Sequence, residues 1–476
     1  MCDLLDNGIS QRKKYNLPNL FFGLAVFFGL FLVFLEPPFV CPDEAAHYWN
    51  ICRISRGNVF VDVQEGAVGS WLTAEEIDYY YRNGWAYNEF GSDVRFDFRK
   101  MCELMGRMPS TEMSFLPNTF SCINPIPYLL PSFVVAVVRF FLGGVNAYEI
   151  LLISKIANLF FYAAIIRFAL LKTKAFRHTM FLLALMPMAI FQGASTSYDS
   201  PLIAISFLLF AYATKILLAP EDYRITKEDI IVISLACGLL CGCKIAYAPL
   251  ILIFLSVSIV KFGGWKKWGV CVGAVAGACV LLYLIPNVII AVITRGIEEP
   301  LSEAYSIQRE YFRANFWQFP KIVFNTFDAF GSFWLESFIG KLGWLDTPFP
   351  KPFLFLFFVI STLNALIDAC SIKEIRWKTR VFSLVGVLIF LIGSLYTMYL
   401  EWNPVLGIVG GDIINGMQGR YFIPVALFVL IAISNPLLHR VPCKEKIEEI
   451  RESVVPMTAV ASLCLTVLLI FVRYWA

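Results

Sequence analysis

Long apolar runs separated by short polar loops make up most of the chain. The first, Leu20 to Leu35, is long enough to enter a bilayer as a helix. Basic residues precede it at positions 12–14 and no small-residue cleavage site follows, so we expect an uncleaved span with a cytoplasmic N-terminus. Ten further spans are predicted at 148–171, 178–194, 199–218, 230–243, 245–261, 268–294, 352–371, 380–400, 421–438 and 454–472.

The run from Ile126 to Leu142 decides the orientation of every later loop. It is short for a span, contains Pro127 and Pro131, and can lie in the membrane interface instead. If it does not cross, the short outer loops keep only Lys244 and Arg420, as the positive-inside rule requires. The predicted inner loops then hold Arg167, Lys172, Lys174, Arg177, Lys215, Arg224, Lys227, Lys261, Lys266, Lys267, Lys373, Arg376, Lys378, Arg380, Arg440, Lys444, Lys446 and Arg451.

This pattern predicts an all-α polytopic membrane protein with about eleven transmembrane helices. With 58% hydrophobic and 16% charged residues, the chain is too apolar for a soluble globule, and its net charge of +3 argues against a nucleic-acid partner. The first outer loop is long enough to fold as a small cap with helices, for example near Glu75 to Arg82. The predicted parts are the N-terminus and first span (1–35), outer loop 1 with its interfacial helix (36–147), a transmembrane core (148–294), an aromatic-rich outer loop (295–351) and the C-terminal helices (352–476).

The thirteen cysteines lie mostly inside apolar runs, and none forms a C-x-x-C pair or a zinc-type cluster with histidine. Cys41, Cys52, Cys102 and Cys122 fall in the first outer loop and can pair if it faces an oxidising compartment, but the sequence does not choose a pairing. The chain also lacks a P-loop, a G-x-S-x-G motif and an H-E-x-x-H motif. Metal-thiolate sites and common soluble-enzyme sites are therefore not expected.

Two adjacent carboxylates, Asp43 and Glu44, follow the first span directly. Pro37, Pro38 and Pro42 prevent the helix from continuing, so the acids are held at the membrane surface, with His47 one turn later. The alternative is that they only cap the next helix.

Four further segments bring candidates to the same predicted face. Asp199 lies in a polar turn that also fits a simple helix start, and Lys244 either snorkels or meets an anion. Trp344 and Asp346 can present an aromatic wall and an acid to a sugar, although aromatic residues here also suit an interfacial belt. The remaining candidates are Asp412, Gln418, Arg420 and Tyr421, of which Arg420 is either a lipid-headgroup anchor or a phosphate ligand.

Together these motifs resemble a bacterial family of polytopic membrane proteins classed as a domain of unknown function. The resemblance rests on Pro37-Pro38-Phe39-x-x-Pro42-Asp43-Glu44-x-x-His47, the Ser-x-Ser-x-Asp199 turn, Gly343-Trp344-Leu345-Asp346-Thr347-Pro348 and Gln418-Gly419-Arg420-Tyr421-Phe422-x-Pro424. That family in turn resembles the GT-C superfamily of membrane glycosyltransferases.

The resemblance implies transfer of a sugar from a polyprenyl-phosphate donor to a glycan or lipid-linked acceptor on the outer face of the bacterial plasma membrane. It implies that the catalytic residue is the acidic side chain of Asp43, with Glu44 as its neighbour and Asp199 as a second acidic residue. We expect Asp43 to act as base, Arg420 and Lys244 to hold the phosphate, and the sugar to invert. No cofactor is identified, and a divalent ion such as Mg²⁺ or Mn²⁺ on Asp43 and Glu44 stays open. The alternatives are a transporter or flippase of lipid-linked glycans and a structural subunit.

Overall fold

The structure, a computed structural model, describes residues 16–89, 95–297, 301–370, 372, 375–434 and 445–476. The basic positions 12–14 and the predicted inner residues Lys373, Arg440 and Lys444 lie outside this part of the chain, as does the side chain of Lys446. The α-helices of the described residues are α1 Leu17–Leu35, α2 Glu44–Ile54, α3 Ala74–Glu89, α4 Phe98–Met105, α5 Leu129–Leu142, α6 Ala147–Lys172, α7 Arg177–Ala184, α8 Pro187–Gly193, α9 Asp199–Leu217, α10 Lys227–Cys243, α11 Ile259–Phe262, α12 Trp265–Cys279, α13 Ile285–Ile293, α14 Ser302–Ala314, α15 Phe319–Ile339, α16 Lys351–Cys370, α17 Trp377–Thr397, α18 Asn403–Val405, α19 Ala426–Ile433 and α20 Glu445–Tyr474.

Seven of the predicted spans are confirmed as helices long and apolar enough to cross a membrane. Among the described residues these are Leu17–Leu35, Ala147–Lys172, Asp199–Leu217, Trp265–Ile293, Lys351–Cys370, Trp377–Val405 and Ile447–Tyr474. The chain is therefore a predominantly helical membrane protein. Two of the seven contain a π-helical turn, at Val280–Leu284 and Met398–Trp402.

The other four predicted spans are shorter or interrupted. The predicted span 178–194 is divided into α7 and α8 because Pro187 begins a new helix. Residues 245–256 form a 3-10 helix, α10 has 17 residues, and α19 has 8. The eleven-span topology accordingly stays a prediction for these segments.

The first predicted outer loop folds as a cap on one end of the helical bundle. Beside the expected helices it contains a three-stranded antiparallel sheet that the sequence analysis did not predict, with order β1-β2-β3. Its inner face packs on α2 through Ser70 and Leu72, both completely buried. The strands are β1 Asp62–Gln64, β2 Ala67–Thr73 and β3 Met113–Pro117, and Gly69 of β2 pairs with Pro117 of β3.

The second predicted outer loop is mostly helical. Two helices, α14 and α15, are followed by a small hairpin of β4 Lys341–Leu342 and β5 Thr347–Pro348. Helix α15 has 21 residues and carries Lys321, Asp328 and Glu336, which makes it less apolar than the candidate spans. It packs against α8 and the 3-10 turn Gly419–Phe422. This segment therefore supports the cap end of the bundle directly.

The two ends of the bundle bring together different sets of loops. At the end opposite the cap, Lys172 pairs with Glu228 at 2.7 Å, and the Lys261 ammonium donates to the Ala219 carbonyl at 2.7 Å. We call this the basic end, because the described basic residues of the predicted inner loops lie there. At the cap end, Trp475 donates to the Leu35 carbonyl at 2.7 Å, so the C-terminal end of α20 lies where α1 ends.

Helix α5 presents an apolar face to its surroundings. Phe140 and Phe141 are 81% and 78% exposed, while Pro131, Ser132 and Val135 are buried. An exposed apolar face on a helix of 14 residues is typical of a segment lying in the membrane interface.

The first predicted outer loop contains no disulfide among its described residues: Cys41, Cys52, Cys102 and Cys122 are not joined to one another.

Candidate active site

The segment between α1 and α2 places Asp43 in an unusual backbone conformation. Asp43 has φ 65° and ψ 5°, the left-handed region, which costs energy for a residue with a Cβ although Asp tolerates it better than most. Its side chain does not cap α2, so the capping alternative does not describe what this carboxylate does. The side chain is 44% exposed. Asp43 is therefore turned toward an open space.

Arg420 is the centre of the site. Its guanidinium is only 3% exposed and lies 2.8 Å from the Asp43 carboxylate and 3.4 Å from the Asp199 carboxylate. A side chain this buried cannot reach the headgroup region as a simple lipid anchor. Partial burial opposes the ionisation of Asp43, but the Arg420 guanidinium outweighs it and holds the pKa of Asp43 below its ordinary value.

The position of Arg420 depends on close docking of its turn onto α15. The Gly419 amide donates to the Ser337 hydroxyl at 2.9 Å, and the Trp334 indole donates to the Met417 carbonyl at 2.9 Å. A Cβ at Gly419 would lie 2.1 Å from backbone atoms of Trp334 and Phe338, so only glycine fits. This contact explains the glycine that precedes Arg420 in the motif.

Asp199 reaches the site as the first residue of α9. The preceding turn is completely inside the protein: Ser195, Ser197 and Asp199 are at most 4% exposed. The Ser197 hydroxyl accepts the Asp199 amide at 3.1 Å, which fixes the start of the helix. The turn is thus a helix start, as the structural alternative held, and it also brings a carboxylate to Arg420.

His47 lies beneath the carboxylates, one turn into α2. Its Nδ1 is 2.7 Å from the Tyr128 hydroxyl, and its ring meets the Tyr198 ring edge to face with centroids 4.8 Å apart. Burial lowers the pKa of His47 to about 4, and the nearby charges of Arg420 and Lys244 act in the same direction while Asp43 opposes them. His47 is therefore neutral at neutral pH.

Lys244 approaches the same space from the end of α10. Its ammonium lies 4.0 Å from the centroid of the Tyr421 ring and 5.5 Å from that of Tyr198, within range of cation–π attraction. Lys244 and Tyr421 also line an apolar groove of about 330 Å³ between the 3-10 helix Ile245–Ser256 and α17. The groove is lined further by Tyr247, Pro249, Ile389, Phe390, Gly393, Thr397, Met398 and Met417.

Three other sequence candidates lie around the cluster and not in it. Glu44 turns away from Asp43 into the interior, where its carboxylate is 3.3 Å from the Lys155 ammonium. The Trp344 indole donates to the Phe39 carbonyl at 2.8 Å and so supports the loop that carries Asp43. Asp346 is paired with Arg473 at 2.8 Å. These three side chains therefore contact the parts of the protein around the cluster.

The last two candidates, Gln418 and Asp412, also lie outside the cluster. Gln418 lies beside the Arg420 turn, with a side-chain oxygen that is buried and has no hydrogen-bond partner. Asp412 has an exposed side chain, and its carbonyl accepts the Asn325 amide at 3.2 Å. Within the described part of the chain, no group of three or more His, Cys, Asp or Glu side chains could hold a metal ion.

Three residues of this region were not among the candidates predicted from the sequence. Tyr128 and Tyr198 contact His47 and Lys244, but nothing in the sequence distinguishes them from the many interfacial tyrosines. Lys155 did carry a signal, because it is a charged residue within the apolar run of α6. It lies directly behind the site.

A family model now identifies the chain. The model described as a predicted membrane protein, DUF2142, matches residues 26–429. The chain belongs to this family. The matched residues include the whole Asp43, Asp199, Lys244 and Arg420 cluster, so the site of this DUF2142 protein falls within the part that defines the family. Comparison with curated proteins and with solved structures gives no match.

Proposed function

We propose that this DUF2142 protein is a GT-C-type glycosyltransferase that takes its sugar from a polyprenyl-phosphate donor at the outer face of a bacterial plasma membrane. The observation that carries the proposal is the buried Arg420, which lies between two carboxylates and close to an apolar groove. A lipid-phosphate sugar has three chemical parts that match these features: an apolar tail for the groove, an anionic phosphate for Arg420, and a sugar that reacts near the carboxylates.

The donor tail fits the groove between the 3-10 helix Ile245–Ser256 and α17. Its lining is almost entirely apolar and includes Lys244 and Tyr421. A phosphate beside Tyr421 would meet the Lys244 ammonium and lie near the Arg420 fork, because both cations lie against the Tyr421 ring and the fork binds phosphate oxygens in pairs. The groove therefore offers a tail site that leads directly to cations.

Asp43 is the proposed base. It is the exposed carboxylate of the pair, at 44%, whereas Asp199 is buried. A base must be ionised before it can take the acceptor proton, and the lowered pKa of Asp43 keeps it so at neutral pH. When a donor phosphate draws the Arg420 guanidinium toward itself, Asp43 loses part of this pairing and becomes more basic.

Transfer then requires one displacement. The acceptor hydroxyl attacks the anomeric carbon while Asp43 takes its proton, and the bond from the anomeric carbon to the phosphate oxygen breaks with its electron pair going to the lipid phosphate. Lys244 and Arg420 stabilise the negative charge of the leaving phosphate. A single displacement inverts the anomeric centre. Asp199 holds Arg420 in place throughout.

The test uses purified protein in liposomes with a radiolabelled polyprenyl-phosphate hexose and a membrane extract as source of acceptor. We expect the label to leave the lipid phosphate and appear in acceptor material. If the protein is a transporter of lipid-linked glycans, the labelled donor instead crosses the bilayer intact. Glu112→Gln, which removes an exposed carboxylate of the cap, is the control for variants of Asp43.

A further inference from the structure

A buried ionic cluster lies directly behind the candidate site. The Lys155 ammonium is 3.3 Å from the Glu36 carboxylate and 3.3 Å from the Glu44 carboxylate, and all three side chains are 0% exposed. One ammonium thus faces two carboxyl groups inside the protein. Burial raises the pKa of Glu36 to about 8, so this carboxyl carries a proton at neutral pH and the cluster is close to neutral.

The position of the cluster in the chain is informative. Glu36 directly follows α1 and Glu44 is the first residue of α2, so Lys155 holds both ends of the short segment that contains Asp43. That segment includes two residues other than glycine with positive φ, Phe39 and Asp43, both at 65°. Such a conformation persists only where the surroundings impose it.

The same cluster is tied to the turn that carries Asp199. The Thr196 amide donates to the Glu44 carboxylate at 3.3 Å, and the Thr196 hydroxyl donates to the Glu44 carbonyl at 3.3 Å. One turn further along α6, the Asn158 side chain donates to the Ser195 carbonyl at 2.9 Å. Helix α6 therefore contacts both the segment that carries Asp43 and the turn that carries Asp199.

We propose that Lys155, with Glu36 and Glu44, is a buried clamp that sets the position of Asp43 relative to Asp199 and Arg420 for sugar transfer. Lys155 is then a positioning residue, since it acts through Glu44 and does not face the open site. This inference rests on the proposed function. A cluster needed only for stability is the alternative, because a buried charge left without its partner destabilises a fold whatever its location.

Two sets of substitutions separate positioning from stability. Lys155→Met alone leaves the buried Glu44 carboxylate without its cation and is expected to lower the melting temperature strongly. The triple variant Lys155→Met, Glu36→Gln, Glu44→Gln removes every charge at similar volume, a change that often restores stability. The matched control is Arg451→Met with Asp368→Asn, which neutralises a buried pair at the basic end, where the two atoms are 2.8 Å apart.

The clamp predicts that the triple variant recovers its melting temperature but not its rate. We expect kcat to fall ~10–100-fold with little change in the donor KM, because a small displacement of a reacting group has that effect. Amide hydrogen exchange of residues 37–46 and 195–200 should rise in the triple variant and stay unchanged in the control. Wild-type kcat and wild-type exchange in the triple variant would overturn the clamp.

Hydrogen exchange also keeps the two proposals apart. If the wild-type protein transfers no sugar, the proposed function fails, while exchange in the triple variant still decides whether the clamp orders the segment. If the triple variant does not fold, Glu44→Gln alone gives the same measurement, because it keeps the side-chain size and leaves Lys155 paired with Glu36. Unchanged exchange at 37–46 and 195–200 in that variant contradicts the clamp.

Discussion

The basic end and the cap end of the molecule use their charges differently. At the basic end, the ion pairs range from exposed, as Arg376 with Glu221, to buried, as Arg451 with Asp368 at 2.8 Å. At the cap end, the buried Arg420 is shared by Asp199 and by Asp43, whose carboxylate is 44% exposed, and Lys155 is shared by two other carboxyl groups. A buried cation that meets an accessible carboxylate can act on a bound substrate, so this arrangement marks the cap end as the candidate functional end.

The comparison depends first on the two ends facing opposite sides of the membrane. We expect single cysteines at the exposed positions Glu112 and Asp412 to react with an impermeant maleimide added from outside, and those at Asp222 and Lys227 to be protected. Each cysteine is expected to be either labelled or fully protected. The background lacks Cys102 and Cys122, the partly accessible thiols of the cap. Labelling of Asp222→Cys and Lys227→Cys with protection of the other two would place the site in the cytoplasm.

The next largest effect is expected at Asp43. Asp43→Asn keeps the shape of the side chain but cannot take a proton, so transfer should fall by ~10²–10⁴-fold, the usual contribution of a general base. The fold should survive because the Asp199 carboxylate still pairs with Arg420 at 3.4 Å. Initial rates and melting temperatures are measured together with those of Glu112→Gln. Full activity in Asp43→Asn would exclude this residue as the base.

His47 predicts a pH effect on stability at the cap end. Its pKa is about 4 in the folded protein against an ordinary 6.5, so between these values the unfolded chain binds the extra proton and stability falls as pH decreases. The loss approaches ~3 kcal/mol at the acid limit. His47→Gln cannot titrate, so the stability gap between wild type and variant should narrow from pH 7 to pH 4.5 in detergent. A constant gap would mean that His47 titrates normally.

Arg420 tests the donor side of the site. Lysine keeps the charge but not the two parallel donors, so Arg420→Lys should weaken binding of a polyprenyl-phosphate hexose by ~1–3 kcal/mol, and Arg420→Ala should weaken it further. Titration of purified variants measures this directly. The control is Arg107→Lys, an exposed arginine of the cap. Unchanged affinity in Arg420→Ala would end the phosphate assignment.

How much of this could be read from the sequence differs between fold and site. Runs of apolar residues predicted the long spans because a membrane helix satisfies its own backbone within one segment. The sheet of the cap was not predicted because its strands are short and two of them are separated in sequence by the helices α3 and α4. The interruption of the predicted span 178–194 could have been predicted from Pro187, which begins a new helix.

For the site, the sequence supplied candidates but not their division of labour. Asp43 and Arg420 are 377 positions apart, and only the packed structure shows that they are paired. Asp43 and Glu44 look equivalent as neighbours, yet the left-handed backbone at Asp43 sends one carboxylate to the open site and the other to Lys155. The role of Lys155 depends on both contacts, and a lone lysine in an apolar run shows only that a partner is needed.

The smallest expected effect belongs to the basic end and completes the comparison. Arg376 and Glu221 are 50% and 58% exposed, so water and salt screen their attraction. A double-mutant cycle of Arg376→Gln and Glu221→Gln should give a coupling of ~0.2–1 kcal/mol that disappears in 1 M salt. The same cycle for Arg420→Gln and Asp43→Asn should give a larger coupling that persists in salt, because Arg420 is buried. Equal, salt-sensitive couplings at both ends would mean that the cluster around Arg420 is only another surface ion pair.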